Sequence, residues 1–218
     1  MKKIPFCFLA ALLALALLCA PALAFSGKNY PAWDGASAPE NAACGSFDGE
    51  NLRLDFDSSP EYSLQENGFA QVCFFAFDES GDNYLELFLT LPAALSAGDV
   101  FTAADPKALG TSVYLFDVTR SGETFYCAEQ MFGTAYPAGA AFEIRIDAVE
   151  YTPGGLHVQG GLGASLCRIN GDFPTQDFLS LSGVKFDFTL PLAAASAPGN
   201  SPALPAPAFT LPPDDAVI

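Results

Sequence analysis

Apolar and polar residues alternate along most of the chain between residues 50 and 191. The alternation is most regular in residues 141–151, where the two sets are Ile144, Ile146 and Ala148 on one side and Glu143, Arg145 and Asp147 on the other. A period of two with one apolar side is typical of a β-strand that packs one face on a core and turns the other to water. This segment therefore predicts a long, half-buried strand.

Two further strands are predicted directly after it. Residues 152–155 (Thr-Pro-Gly-Gly) indicate a turn, and residues 156–167 and 178–190 continue with strand-like patterns. In the last of these, Val184, Phe186 and Phe188 alternate with Lys185 and Asp187. The fold prediction depends on these three strands, with Ile144, Val158 and Phe186 facing the core.

Earlier parts of the chain predict shorter strands separated by turn residues. We expect them at residues 52–56, near Tyr62 and Leu64, and at 69–77, 84–91, 99–102, 112–118 and 124–129. Asn67-Gly68 favours a hairpin turn, and residues 133–139 are expected to form a loop. No segment after residue 24 has a helical period. The sequence predicts an all-β, antiparallel fold of about nine strands, either a sandwich or a partly open barrel, with the strand order left open.

Both ends of the chain differ from this pattern. Residues 1–24 combine two lysines, a short apolar run and Ala22-Leu23-Ala24, which is typical of a cleaved signal peptide. Residues 25–49 lack periodicity and predict an irregular arm. Residues 50–191 form the predicted β-domain. Residues 192–218 are rich in Pro and Ala and predict a disordered tail.

The net charge and the signal-like N-terminus limit the classes of partner that this protein can have. The formal net charge is −16, which disfavours nucleic acid and anionic lipid as partners. We expect a secreted monomer with no membrane span after cleavage of the signal peptide. Its partner would be an extracellular ligand or protein. The acidic charge favours solubility, and attraction of cations such as Ca²⁺ is the alternative.

Four cysteines follow the signal peptide: Cys44, Cys73, Cys127 and Cys167. In a secreted chain this number predicts two disulfides, and three connectivities are open. Because Cys73 and Cys127 both lie in predicted strands, we favour that pair, which leaves Cys44 to bond with Cys167.

Polar clusters suggest two kinds of chemistry. Asp78 and Asp82 lie in the most acidic turn, whose oxygens are candidate Ca²⁺ ligands, although Asp, Asn, Ser and Gly are also ordinary turn residues. Otherwise no cofactor is expected.

The strand at 141–151 carries charged residues that suggest the paired carboxylates of glycosidases: Glu143, Arg145, Asp147 and Glu150. Charges on the wet face of a strand also occur without any activity, and Lys185 is a candidate cross-strand partner. His157, the single histidine, is expected on the surface and outside any catalytic triad.

Aromatic residues favour binding over catalysis. If Phe77 pairs with Tyr84 across the predicted hairpin, one sheet face carries the candidate binding residues Phe75, Phe77, Tyr84, Glu86 and Phe88. The leucines of residues 84–91 supply the opposite face for the core. The aromatic face needs a cover from the other sheet, the N-terminal arm, or a ligand.

The C-terminal strands resemble those of small secreted bacterial all-β proteins with no established activity. The similar segments are residues 158–166 (Val-Gln-Gly-Gly-Leu-Gly-Ala-Ser-Leu) and 181–188 (Leu-Ser-Gly-Val-Lys-Phe-Asp-Phe). The resemblance implies a fold and carries no site residues.

Together these observations predict a secreted, non-enzymatic β-domain that binds a glycan, a peptide or a surface protein. The alternatives are a small extracellular hydrolase using paired carboxylates, and a structural envelope component.

Overall fold

The computed structural model describes residue 25 and residues 28–35, 39–58, 68–131 and 134–191. It confirms the all-β, antiparallel prediction. The described residues form eleven strands: β1 (Ala42–Phe47), β2 (Glu50–Phe56), β3 (Phe69–Phe77), β4 (Tyr84–Pro92), β5 (Val100–Thr102), β6 (Ser112–Thr119), β7 (Gly122–Met131), β8 (Thr134–Tyr136), β9 (Ala141–Thr152), β10 (Gly155–Asn170) and β11 (Phe173–Leu190). A single 3₁₀ turn spans Pro106–Ala108, and none of the described residues forms a helix long and apolar enough to cross a lipid bilayer.

All eleven strands belong to one sheet, in the order β5-β9-β10-β11-β1-β2-β3-β4-β6-β7-β8. The distal part of β10 also pairs with β7, joining Cys167, Arg168 and Ile169 to three residues of that strand. These pairings therefore link eight strands in a ring of hydrogen-bonded neighbours: β10, β11, β1, β2, β3, β4, β6 and β7. The apolar residues on one face of these strands belong to one core cluster.

Apolar residues fill the interior as the alternation predicts. Ile144 and Val158 are fully buried and Phe186 is 1% exposed, so the three residues on which the prediction depends all belong to the core. Phe188 lies at the centre of a ring cluster, with centroids 5.6–6.0 Å from the rings of Phe56, Phe74 and Phe186. Strands from distant parts of the chain therefore meet in one apolar cluster.

The N-terminal region departs from the prediction of an irregular arm over residues 25–49. Residues 42–47 form β1, which pairs with β2 on one side and β11 on the other. Sequence periodicity missed β1 because most of its side chains are small and buried on both faces. At Gly45 an added Cβ would lie 2.5 Å from the Cα of Val184, so glycine permits the close approach of β1 to β11.

Two of the residues before β1 pack in the core. Phe25 and Tyr30 are buried in the core, and their rings contact edge to face at 6.1 Å. The Lys28 ammonium pairs with the Asp117 carboxylate, which also accepts a hydrogen bond from Tyr30 Oη at 3.3 Å. These two partners explain how Asp117, only 5% exposed, remains buried.

Smaller differences concern strand limits. The short strand β8 occupies part of the predicted loop at 133–139 and pairs with the end of β7. The predicted strand near Tyr62 and Leu64, the signal peptide of residues 1–24 and the tail of residues 192–218 lie outside the described residues.

The predicted disulfides are not present, because all four described cysteines are buried thiols. Cys73 and Cys127 lie in one row of side chains, but Phe88 and Tyr114 stand between them, which places them three strand spacings, about 14 Å, apart. Cys44 and Cys167 lie on opposite sides of β11. Cys44 pairs with Lys185 and Cys167 pairs with Phe178, seven residues away along β11. Both predicted pairs exceed the roughly 7 Å between Cα atoms that a disulfide spans.

Candidate functional site

Seven aromatic side chains lie on the outer face of four neighbouring strands, β3, β4, β6 and β7. We call this group, together with the carboxylate at its centre, the aromatic surface: Phe75, Phe77, Tyr84, Glu86, Phe88, Tyr114, Phe116 and Phe125. The predicted pairing of Phe77 with Tyr84 is present. Because alternate residues of these strands, such as Leu85, Leu87 and Leu115, fill the core, the aromatic residues between them must point outward.

The rings of the aromatic surface contact one another in two groups. Phe75, Phe77 and Tyr84 form the first, with centroid distances of 5.8 and 5.6 Å. The second group links four rings across three strands, namely Phe88, Phe116, Phe125 and Tyr114. Within it Phe116 and Phe125 stack at 4.6 Å with an interplanar angle of 20°. These contacts hold the rings in place while leaving them partly accessible, and Phe77 is 52% exposed.

Glu86 separates the two groups of rings. In register it lies between Phe75 on β3 and Phe116 on β6. Burial among the rings raises the pKa of its carboxyl group, and the negative charges of Glu123 and Asp57 raise it further. The aromatic surface thus contains one half-buried carboxyl group, Glu86. Its surroundings favour the protonated, neutral form of this group more than bulk water does.

A pocket of about 310 Å³ opens at the edge of the aromatic surface, where the β7–β10 ladder ends. Its lining combines the stacked rings with polar groups: Phe116, Glu123, Thr124, Phe125, Arg168, Ile169, Asn170 and Gly171. Most of this lining is polar, and the two stacked rings supply much of its apolar part. Arg168 and Asn170 supply donors to this lining and Glu123 supplies a carboxylate, while Arg168 also pairs with Asp177 at 3.6 Å. The pocket can therefore accept a ligand that has both an apolar face and hydroxyl groups.

No protein family, curated protein or solved structure matches this chain.

A second, polar groove runs along the outer side of β10, between β9 and β11. It encloses about 210 Å³. Gly161 and Gly163 lie on its floor, while Glu143, Arg145 and Lys185 line its sides. An added Cβ at Gly163 would have no neighbour closer than 3.9 Å, so packing does not require glycine there.

Asp147, beside this groove, lacks the property that acid catalysis needs. Arg145 Nε donates to Asp147 Oδ1 at 2.6 Å, and this contact lowers the pKa of Asp147. A glycosidase acid must keep its proton near neutral pH, which requires a raised pKa. Glu150 lies further along β9, opposite His157 and exposed. The arrangement fits a solvated strand face better than a catalytic pair.

His157 is less exposed than predicted. Its Nε2 atom lies 3.2 Å from Asp187 Oδ2, and 27% of its side chain is exposed. Asp187 also accepts hydrogen bonds from Gln159 Nε2 at 2.7 Å and from the Asn41 backbone amide at 3.2 Å. These contacts tie β10, β11 and the residue before β1 together, which is a structural role.

In the acidic turn at residues 78–83, the Asp78 carboxylate accepts hydrogen bonds from other residues of the same turn. Asp78 accepts hydrogen bonds from the Asn83 side chain, from Ser80 Oγ and from the backbone amides of Asp82 and Asn83, and these bonds lower its pKa to about 2. Asp82 pairs with Arg120 at 2.6 Å. Among the described residues no group of three or more His, Cys, Asp or Glu is placed to hold a metal ion. The Ca²⁺ site at Asp78 and Asp82 stays a prediction, and the observed role of Asp78 is to close the β3–β4 hairpin.

Sequence reasoning missed the half of the aromatic surface contributed by β6 and β7, namely Tyr114, Phe116 and Phe125. The alternation of Tyr114 and Phe116 with Val113 and Leu115 is visible in the sequence. It could have identified a second aromatic face. The neighbourhood of β4 and β6 could not be predicted, because β5 intervenes in the chain and pairs elsewhere with β9.

Proposed function

We propose that this protein is an exported, non-enzymatic binding module whose aromatic surface takes a neutral carbohydrate. The observation that carries the proposal is the row of partly exposed rings on β3, β4, β6 and β7 beside the 310 Å³ pocket. The C–H face of a sugar ring packs on a flat aromatic ring, and its hydroxyl groups need polar partners at the edge. The pocket supplies both kinds of contact.

Charge favours a neutral ligand over an anionic one. Glu86 and Glu123 lie on and beside the aromatic surface, and the whole chain has a net charge of −16. Phosphates, sulfates and acidic sugars would be repelled, while a neutral sugar can accept from Arg168 and Asn170 and donate to Glu123.

Export is supported by the signal-like pattern of residues 1–24. Phe25, the first residue after it, is buried, so the mature chain would begin at the point where the fold begins. N-terminal sequencing of the protein recovered outside the producing cell should start at Phe25, and a start at Met1 would contradict the proposal.

We also infer that the ring of eight strands closes around the core as a barrel. The pairing of β10 with β7 supports this reading, because it leaves no open edge between the two ends of the ring. β5, β8 and β9 then flank this ring.

Replacing Phe125 by alanine is expected to weaken carbohydrate binding by about tenfold or more, because the change removes one of the two stacked rings of the pocket. The measurement is binding of the labelled protein to an array of neutral and charged glycans. Tyr151→Ala is the matched control, since Tyr151 is an aromatic residue on β9 that is 76% exposed.

We expect wild type and Tyr151→Ala to retain the same neutral glycans and Phe125→Ala to lose them. Circular dichroism establishes that both variants are folded. Retention of no glycan by the wild type, or equal retention by Phe125→Ala, would overturn the proposal.

A further inference from the structure

Cys127 and Cys167 lie opposite each other where the ring of strands closes. They form the first of the three residue pairs in the β7–β10 ladder. Opposite residues on antiparallel neighbours project to the same face, so the two side chains lie on one side of the ladder. The Cys167 thiol donates to the carbonyl oxygens of Arg168 and Thr175, both at 3.4 Å. Both are buried, at 2% and 0% exposure. The electrostatic influence of Cys167 is also one of the causes that raise the pKa of Cys127, after burial and the charge of Glu129.

The backbone geometry of this pair suits a disulfide. Opposite residues of an antiparallel ladder have Cα atoms about 5.5 Å apart in hydrogen-bonded pairs and about 4.5 Å apart in the others. Disulfides span roughly 4.4–6.8 Å between Cα atoms. Either kind of ladder pair satisfies this requirement.

The remaining two cysteines are too far apart to bond with each other. Both can be located along β2 and the residue that follows it. Cys44 lies opposite Arg53, whereas the backbone carbonyl of Cys73 accepts a hydrogen bond from the amide of Asp57, which is four residues after Arg53. Four residues of a strand extend about 13 Å, and the width of two strand spacings adds to this separation.

We propose that Cys127 and Cys167 form one disulfide when the chain folds in an oxidising environment, while Cys44 and Cys73 stay thiols. The oxidant is a small disulfide such as oxidised glutathione. One cysteine thiolate attacks it and releases a glutathione thiol, and the second cysteine thiolate then attacks the mixed disulfide and releases another. Two electrons and two protons pass from the two cysteines to the two glutathione molecules.

The bond should form during folding rather than afterwards. In the folded protein burial is the main cause that raises the pKa of Cys127 to about 12, so very little reactive thiolate is present at neutral pH. Once formed, the bond links positions 127 and 167, which restricts the unfolded chain and strengthens the short ladder that closes the ring. An increase in Tm of about 10 °C is expected.

The test is refolding of the reduced, denatured protein in a buffer of reduced and oxidised glutathione, followed by thiol blocking and peptide mapping without reductant. We expect a monomer with one cross-link between Cys127 and Cys167, blocked Cys44 and Cys73, and a Tm about 10 °C above that of protein refolded in dithiothreitol. Cys44→Ser and Cys73→Ser should keep this difference in Tm, and Cys127→Ser should abolish it.

Four blocked thiols in the wild type, or a cross-link that includes Cys44 or Cys73, would overturn the proposal. The peptide map of the wild type decides this even where Cys127→Ser does not fold. Because the test uses no ligand, its outcome is independent of carbohydrate binding.

Discussion

Replacing Phe188 by alanine is expected to lower the free energy of unfolding by about 3–5 kcal/mol. Phe188 is fully buried and lies within 6.0 Å of the rings of Phe56, Phe74 and Phe186. The change removes the transfer free energy of the ring and leaves a cavity that rigid neighbouring strands cannot fill. Urea unfolding measures the loss, and Tm should fall by about 10 °C.

The matched control is Phe173→Ala on the same strand. Phe173 is 75% exposed, so its removal should change the free energy of unfolding by no more than about 0.5 kcal/mol. Similar losses for the two variants would show that the ring cluster does not form the centre of the core.

Replacing Gly45 by alanine should destabilise the fold by about 2–3 kcal/mol. The new Cβ would lie 2.5 Å from the Cα and 2.8 Å from the backbone nitrogen of Val184, so a backbone rather than a flexible side chain has to move. The movement would disturb β1 where it pairs with β11. Thermal unfolding measures the effect, as a decrease in Tm of about 7 °C.

Gly163→Ala tests whether this cost comes from the close contact or from losing any glycine in a strand. Its Cβ would have no neighbour closer than 3.9 Å, and removing a glycine restricts the unfolded chain, so the variant should be unchanged or more stable by about 0.4–1 kcal/mol. If Gly45→Ala is as stable as Gly163→Ala, β1 does not approach β11 as closely as the structure shows.

The sequence was informative wherever one strand face is apolar and the other polar. Ile144, Val158 and Phe186 were placed in the core by alternation alone, and the structure confirms it. β1 lacks this contrast, because Cys44 on its outer face is enclosed between the longer side chains of Arg53 and Lys185. A strand of small residues buried on both faces has no period for a sequence pattern to show.

The pairing of strands that are distant in sequence could not be predicted from local patterns either. Period-two alternation placed Tyr84, Glu86 and Phe88 on one face of a strand, and the structure has them on one outer face. The extension of that face to Phe116 and Phe125 depends on which strands become neighbours, as does the pocket that Arg168 completes. Pairing between strands distant in sequence also brings Cys127 beside Cys167. Such pairing is fixed by the packing of the whole core rather than by any single segment.

The central claim is that ligand binds on the aromatic surface, and amide chemical-shift mapping tests it most directly. The probe is the neutral glycan that the wild type retains best on the array, titrated into isotopically labelled protein. We predict that the largest shifts fall in β3, β4, β6 and β7 around Glu86, Phe116 and Phe125. Shifts concentrated instead along the polar groove of β9, β10 and β11, around Glu143 and Lys185, would contradict the claim.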